Sequence, residues 1–260
     1  MNDKSTPYAT STLKQARLDL AAALRWADRL GFSEGVENHF SMAIPDPNNS
    51  VSGNLFLINT EGWHWSEITA SSLVLCDHEG NVLEGENTVE ISAFMIHSRI
   101  HLRIPKATVV LHTHMPYATS ITLLENGRLE MCEQNALLYH NRIAYDDDYN
   151  GVALDTLEGD RMAEKMEGHD ILFLASHGVI VTGRSMADAF TDLYYLERAA
   201  RAQVLALSTG KALRVLKDSV VEKTAHQLAE MRIHHPERYG EKYFRALKRM
   251  LEKEEPDYKN

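Results

Sequence analysis

The chain reads as an α/β domain with a mixed sheet covered by helices. Three observations carry that reading. Apolar residues recur at helical spacing in some stretches, while short β-branched runs mark strands in others. The strand-like runs of the first half follow one another as hairpins, whereas those of the second half lie between helices. Finally, 260 residues at 44% hydrophobic are enough to bury a substantial core as one large domain spanning 1–260.

Leu13 to Leu30 carries Leu18, Ala21, Ala22, Leu24 and Ala27 at helical spacing and stops at Gly31, so it predicts a helix. Phe40–Ile44 and Leu55–Ile58 predict strands, with Pro45–Gly53 between them as a long hairpin loop. Leu73–Cys76 and Asn81–Leu83 predict a tight strand pair turning through Asp77–Gly80. Glu90 to Arg103 predicts a helix with Ile91, Phe94, Met95 and Leu102 on its apolar side. Ala107–Leu111 is a buried strand that Pro116 ends, followed by a helical stretch around 118–124. An acidic loop, Asp146–Gly151, leads to the strand Ile171–Leu174, and a further strand, Val179–Thr182, follows Gly178. Ala187 to Ser208 is a long amphipathic helix, and a charged helical tail over about 213–260 follows a core of about 13–207.

A formal net charge of −10 argues against a nucleic-acid partner, whose phosphates demand a basic surface. The N-terminus lacks the apolar core of a signal peptide, and no apolar run approaches the ~20 residues of a membrane helix. Two cysteines are too few for a disulfide framework, and Cys76 reads as a small core residue. A cytoplasmic setting without membrane partners is the expectation.

The chemistry concentrates at His112 and His114. On a strand, residues i and i+2 share a face, so these two imidazoles project together, as two ligands of one metal ion must. Two histidines that simply hydrogen-bond at a strand end would give the same pattern. His177 is a third candidate, placed where a buried strand breaks at Gly178, a glycine that lets the backbone turn sharply and aim the imidazole out of the sheet; capping that strand is its alternative role. Three histidines with one open position make the arrangement of a catalytic zinc, though neutral imidazole also takes manganese or cobalt. His97 and His101, four apart on the Glu90 helix, read as a half-exposed helix edge packing on the sheet rather than as a rival metal pair. His64 and the pair His234-His235 read as surface residues.

Asn38-His-Phe-Ser41, Leu57-Ile-Asn-Thr-Glu-Gly62, Pro105 through His112-Thr-His114, and Ser176-His-Gly178 occur in an order that resembles the class II aldolase/adducin family. The resemblance runs from about Leu13 to Leu207. It implies a class II aldolase-like three-layer α/β/α sandwich with a central mixed, largely antiparallel sheet, in a homotetramer with sites at subunit interfaces. It assigns His112, His114 and His177 as ligands of a divalent metal ion, zinc first, and points to substrate contacts at Asn59, Gly62 and Ser92. The departures matter equally. Where the sugar-phosphate aldolases carry a catalytic glutamate, this chain has Ala93, with Glu90 one turn earlier. In the phosphate-holding loop His39 replaces an asparagine, and Ile91 replaces one of a serine pair. The tyrosine of one branch falls near Glu133-Gln134, leaving Tyr139 and Tyr145 nearby and Tyr239 and Tyr243 in the tail as groups that could reach a neighbouring site.

The resulting expectation is a metal-dependent carbon–carbon lyase on a small, non-phosphorylated hydroxy- or keto-acid. It would act by retro-aldol cleavage or decarboxylation through a metal-stabilised enolate, with His39 or Tyr145 moving protons. The alternatives are an adducin-like assembly module without catalysis, and an epimerase working by retro-aldol and re-addition.

Overall fold

The computed structural model describes residues 8, 10–46, 53–235 and 237–260. Helix α1 (Ser11–Arg29) starts where the Thr10 hydroxyl accepts the Leu13 amide at 3.1 Å. Strands β1 (His39–Ile44), β2 (Leu55–Ile58), β3 (Val74–Asp77) and β4 (Val82–Glu84) then pair antiparallel in succession. The hairpin connection expected over Pro45–Gly53 falls mostly on 47–52, which lie outside the described residues. Next come α2 (Ile91–Arg103), β5 (Val109–Thr113), α3 (Pro116–Thr122), β6 (Ile143–Asp146), α4 (Thr156–Lys165), β7 (Ile171–Leu174) and β8 (Gly178–Gly183). Helices α5 (Met186–Leu207), α6 (Asp218–His234) and α7 (Lys242–Glu254) complete the chain.

The strands form one sheet in the order β4-β3-β2-β1-β5-β8-β7-β6, with β6 and β7 parallel and every other pair antiparallel. Side chains alternate across it. Leu57, Leu75, Leu111, Phe173 and Val181 pack toward α1, α3, α5 and α7. Val110, Leu172 and Ile180 pack toward α2 and α4, and Phe56, Ile58 and Val74 do so around Ala93. Both faces are therefore covered, which is why the central strands are apolar runs without alternation. The three-layer sandwich and the mixed, largely antiparallel sheet are as the sequence predicts.

Strand β6 and helix α4 are new relative to the sequence reading, which placed only an acidic loop here. A parallel β6–β7 pair needs a crossover, and α4 supplies it. Gly159 obscures this helix in the sequence, because glycine costs about 1 kcal/mol against alanine inside a helix. The structure shows its use: a Cβ there would lie 2.1 Å from the Met95 carbonyl oxygen of α2.

The charged tail is helical as expected, but α7 returns to the main core. Phe244, Leu247 and Leu251 are buried, and the Trp26 indole of α1 donates to the Leu247 carbonyl at 2.9 Å. Arg25, itself buried, pairs with Glu255 and Asp257 at 2.9 Å each. Cys76 is a core residue whose thiol is pushed up to about 12, chiefly by burial. No described helix is long and apolar enough to cross a membrane.

Candidate metal centre

His112 belongs to β5, and His114 follows its last residue. Thr113, between them, points to the opposite face and donates its hydroxyl to the Phe32 carbonyl. Antiparallel pairing of β5 with β8 sets His112 opposite Ile180 and Thr113 opposite Val179, which brings His177 alongside both histidines. Ring centroids lie 5.1 Å apart for His112–His114, 4.8 Å for His112–His177 and 4.7 Å for His114–His177. One nitrogen from each ring lies within 4.8 Å of the other two.

The turn that aims His177 differs from expectation. The left-handed residue is Ser176, at φ +57°, and not Gly178. Gly178 matters through space: a Cβ there would come 2.7 Å from the His114 ring and 2.8 Å from the Thr113 carbonyl oxygen.

The residues present fit a metal ion. The Nδ1 of His112 lies 3.0 Å from the Val179 carbonyl, so it carries the proton and leaves Nε2 with a lone pair. The Nδ1 of His114 is bonded to the Glu34 carboxylate, and its Nε2 is buried without a partner. A carboxylate behind a ligating histidine fixes the tautomer and strengthens the donor. Burial holds His112 well below the ordinary histidine range, aided by its histidine neighbours; burial first, then His114 and His39, lower His177 to about 4. Both rings are neutral at pH 7, the form that binds metal.

His39 sits opposite His112 across the β1–β5 ladder, its ring stacked on His112 at 5.5 Å. Its Nε2 faces the Glu90 carboxylate at 3.5 Å, and its Nδ1 is buried without a partner. His39 and Glu37 each line two cavities. The first, of about 240 Å³, adjoins the triad and takes in Ser92, Glu37 and Tyr149; the second, of about 210 Å³, takes in Asn59, Gly62, Glu90 and Ala93. Glu90 caps α2, accepting from the Ser92 and Ala93 amides and the Ser92 hydroxyl. Burial raises its pKa, but bonds from His39, Ser92 and Ala93 outweigh that and hold it at about 2. Asn59 accepts the Phe40 amide at 2.9 Å and donates to the Asn38 carbonyl at 3.3 Å, so its amide holds the loop in which Asn38 takes φ +70°.

Tyr145 is not brought to the triad. Its ring packs on Phe173, on the other face of the sheet, and its hydroxyl accepts the Leu129 amide at 3.1 Å. Tyr149, not singled out by the sequence, lies 6.4 Å from the His177 ring. Tyr239 turns inward, its hydroxyl donating to the chain's own Asp192, and Tyr139 donates to the Asp192 carbonyl.

His97 and His101 pack on the sheet as expected, but they are fully buried rather than half exposed. The Ser41 hydroxyl lies 2.6 Å from His97 Nδ1 and 2.7 Å from His101 Nε2. His101 Nδ1 lies 2.8 Å from the Ala107 carbonyl and so carries the proton. Ser41 therefore donates to His101 and accepts from His97. Burial lowers His97 well below the ordinary range, and lowers His101 to about 4 against the raising bond to Ala107. Between those values and an unfolded pKa near 6.5, the unfolded chain binds more protons, so stability is present above pH 6.5 and is lost as pH falls toward 4. His101 alone accounts for roughly 3 kcal/mol across that window. The fall in melting temperature from pH 6.5 to 4.5 should be shallower in His101→Gln than in the wild type; equal slopes would contradict the buried neutral pair.

Comparison with known proteins agrees with this architecture. The model of the Class II Aldolase and Adducin N-terminal domain matches residues 18–204. A Caulobacter vibrioides protein whose name places it with the class 2 aldolases is 35% identical over 198 residues, 76% of this chain and 74% of that one. A Streptomyces niveus protein named decarboxylase NovR is 28% identical over 210 residues, 80% of this chain and 75% of that one. The crystal structure of an aldolase II superfamily protein from Pseudomonas syringae superposes with a TM-score of 0.87 at 29% identity, covering 97% of this chain and 98% of that one.

Proposed function

The chain belongs to the class II aldolase/adducin family, and we propose that it is a metal-dependent carbon–carbon lyase acting on a small, non-phosphorylated hydroxy- or keto-acid. The observation that carries this reading is the oriented triad, in which the Nδ1 atoms of His112 and His114 are occupied and a buried Nε2 is left free. His112, His114 and His177 would hold a divalent ion, which would supply Lewis-acid stabilisation of the negative charge that develops on the substrate in retro-aldol cleavage and in decarboxylation alike. Zinc suits three neutral imidazoles best, with manganese and cobalt as alternatives.

His39 is the group we assign to proton transfer, since it stacks on His112 and faces both cavities. Glu90, ionised and saturated with donors, orients His39 instead of acting as a base. Ser92 lines the first cavity and Gly62 the second, and we assign both to substrate contact, with Asn59 holding the Asn38 loop. Support for a non-phosphorylated substrate comes from Ser41, whose hydroxyl is consumed by His97 and His101 and cannot meet a phosphate oxygen. The relative named as a decarboxylase supports carbon–carbon cleavage as the reaction type. The reading includes a homotetramer with sites at subunit contacts and a cytoplasmic setting, which two free cysteines suit.

Ala93 favours a second reading, an adducin-like module without turnover. A panel of small keto- and hydroxy-acids, offered with zinc, manganese or cobalt, separates the two. Release of carbon dioxide or an aldehyde fragment is the expected result, and inversion without release would mark an epimerase. His39→Gln should lower kcat by about 10²–10⁴ while leaving metal content unchanged. Turnover of none of the acids by the metal-loaded protein would falsify the lyase reading.

A further inference from the structure

The cavity beside the triad has a charge pattern and a wall that narrow the substrate further. Among the described residues lining it there is no lysine or arginine, while Glu34 and Glu37 stand at its mouth. Part of its lining is apolar: Ile96 from α2, then Val152, Ala153 and Tyr149 from the segment between β6 and α4, with the Tyr149 ring 6.4 Å from His177. In the single chain Val152 and Tyr149 are 67% and 55% exposed. Leu154 and Leu157, which follow in the chain, are exposed at 64% and 73%.

Resting on the lyase reading above, we propose that the acid taken at this site carries an apolar substituent the size of an aryl or branched alkyl group. Its carboxylate and neighbouring oxygen face the triad, and its substituent lies on Val152, Ala153, Ile96 and the Tyr149 ring. Glu37 and Glu34 set the other half of the selection. Two carboxylates at the mouth, with no cation among the lining residues, repel a phosphate dianion while tolerating a single carboxylate that reaches the metal. Val152 and Glu37 are thus the specificity-determining residues, one selecting for the substituent and the other against phosphate.

Calorimetric titration of the zinc-loaded protein tests this without relying on turnover. The probes are pyruvate, phenylpyruvate, hydroxypyruvate and 3-phosphohydroxypyruvate. Phenylpyruvate should bind at least about tenfold tighter than pyruvate, the return expected for covering one aromatic ring. Val152→Asn should shrink that ratio to within about threefold, and Glu37→Lys should raise the affinity for 3-phosphohydroxypyruvate relative to hydroxypyruvate by about tenfold. Equal binding of pyruvate and phenylpyruvate, or a ratio untouched by Val152→Asn, overturns the substituent preference and leaves the lyase reading standing. A protein that retains zinc and binds none of the four acids overturns the lyase reading, and the preference with it.

Discussion

Replacing His112 by alanine is expected to strip the chain of a divalent ion that the wild type holds at about one per chain. His112 is the most constrained of the three candidate ligands. It is buried in β5, held by the Val179 carbonyl through Nδ1, and kept neutral by its surroundings. Its loss removes one of three donors, and the two left cannot satisfy a four-coordinate ion. Glu34→Gln should act more mildly, weakening metal affinity about 10–100-fold, because it removes the carboxylate behind His114 and not a ligand. Elemental analysis after growth in zinc-supplemented medium, with competition by a chromogenic chelator, reads both. A His112→Ala protein that keeps a full equivalent of metal, or a wild type that holds none, would remove the basis of the metal centre.

The parts of this site legible in the sequence are those with short-range geometry. The two-residue period of a strand puts His112 and His114 on one face, and the apolar runs beside them mark β5 and β8 as buried. Three-dimensional partners were not legible. Glu34 reaches His114 across 80 positions, and Ser41 joins His97 and His101 across 56 and 60. Nothing in a helical histidine pair four apart says that a serine on another element will bridge the two rings. Helix α4 was hidden for a different reason: the glycine that lets it approach α2 is the residue that lowers its helical signal. Tyr145 was drawn toward the site by sequence proximity, yet on β6 it points to the face opposite the triad, while Tyr149, beyond the strand, comes back to His177.

Asp192→Asn is expected to destabilise the fold by about 3–5 kcal/mol, the cost of breaking a buried ion pair by removing one partner. The Asp192 carboxylate on α5 has no solvent exposure and is bonded by Arg142 at 2.7 and 3.3 Å, by Arg232 at 3.1 Å and by the Tyr239 hydroxyl. Burial alone would raise its pKa, but Arg142 and Arg232 outweigh that and hold it below the usual carboxylate value. An amide in its place leaves two guanidinium groups converging on a neutral group. The effect should be uneven across the molecule, because α6 contributes one buried residue, Val221, and owes much of its attachment to Arg232. Hydrogen exchange in α6 should therefore accelerate more than in α5. The pH dependence has a definite sign. A depressed carboxylate contributes stability above its unfolded pKa near 3.9 and loses it as pH falls further, so the gap between wild type and variant should narrow below about pH 4. Urea unfolding at pH 7 and pH 3.5 tests both statements. A variant within about 1 kcal/mol of wild type at pH 7 would mean that the arginines find solvent or other partners, and that the cluster does not hold α6 to α5.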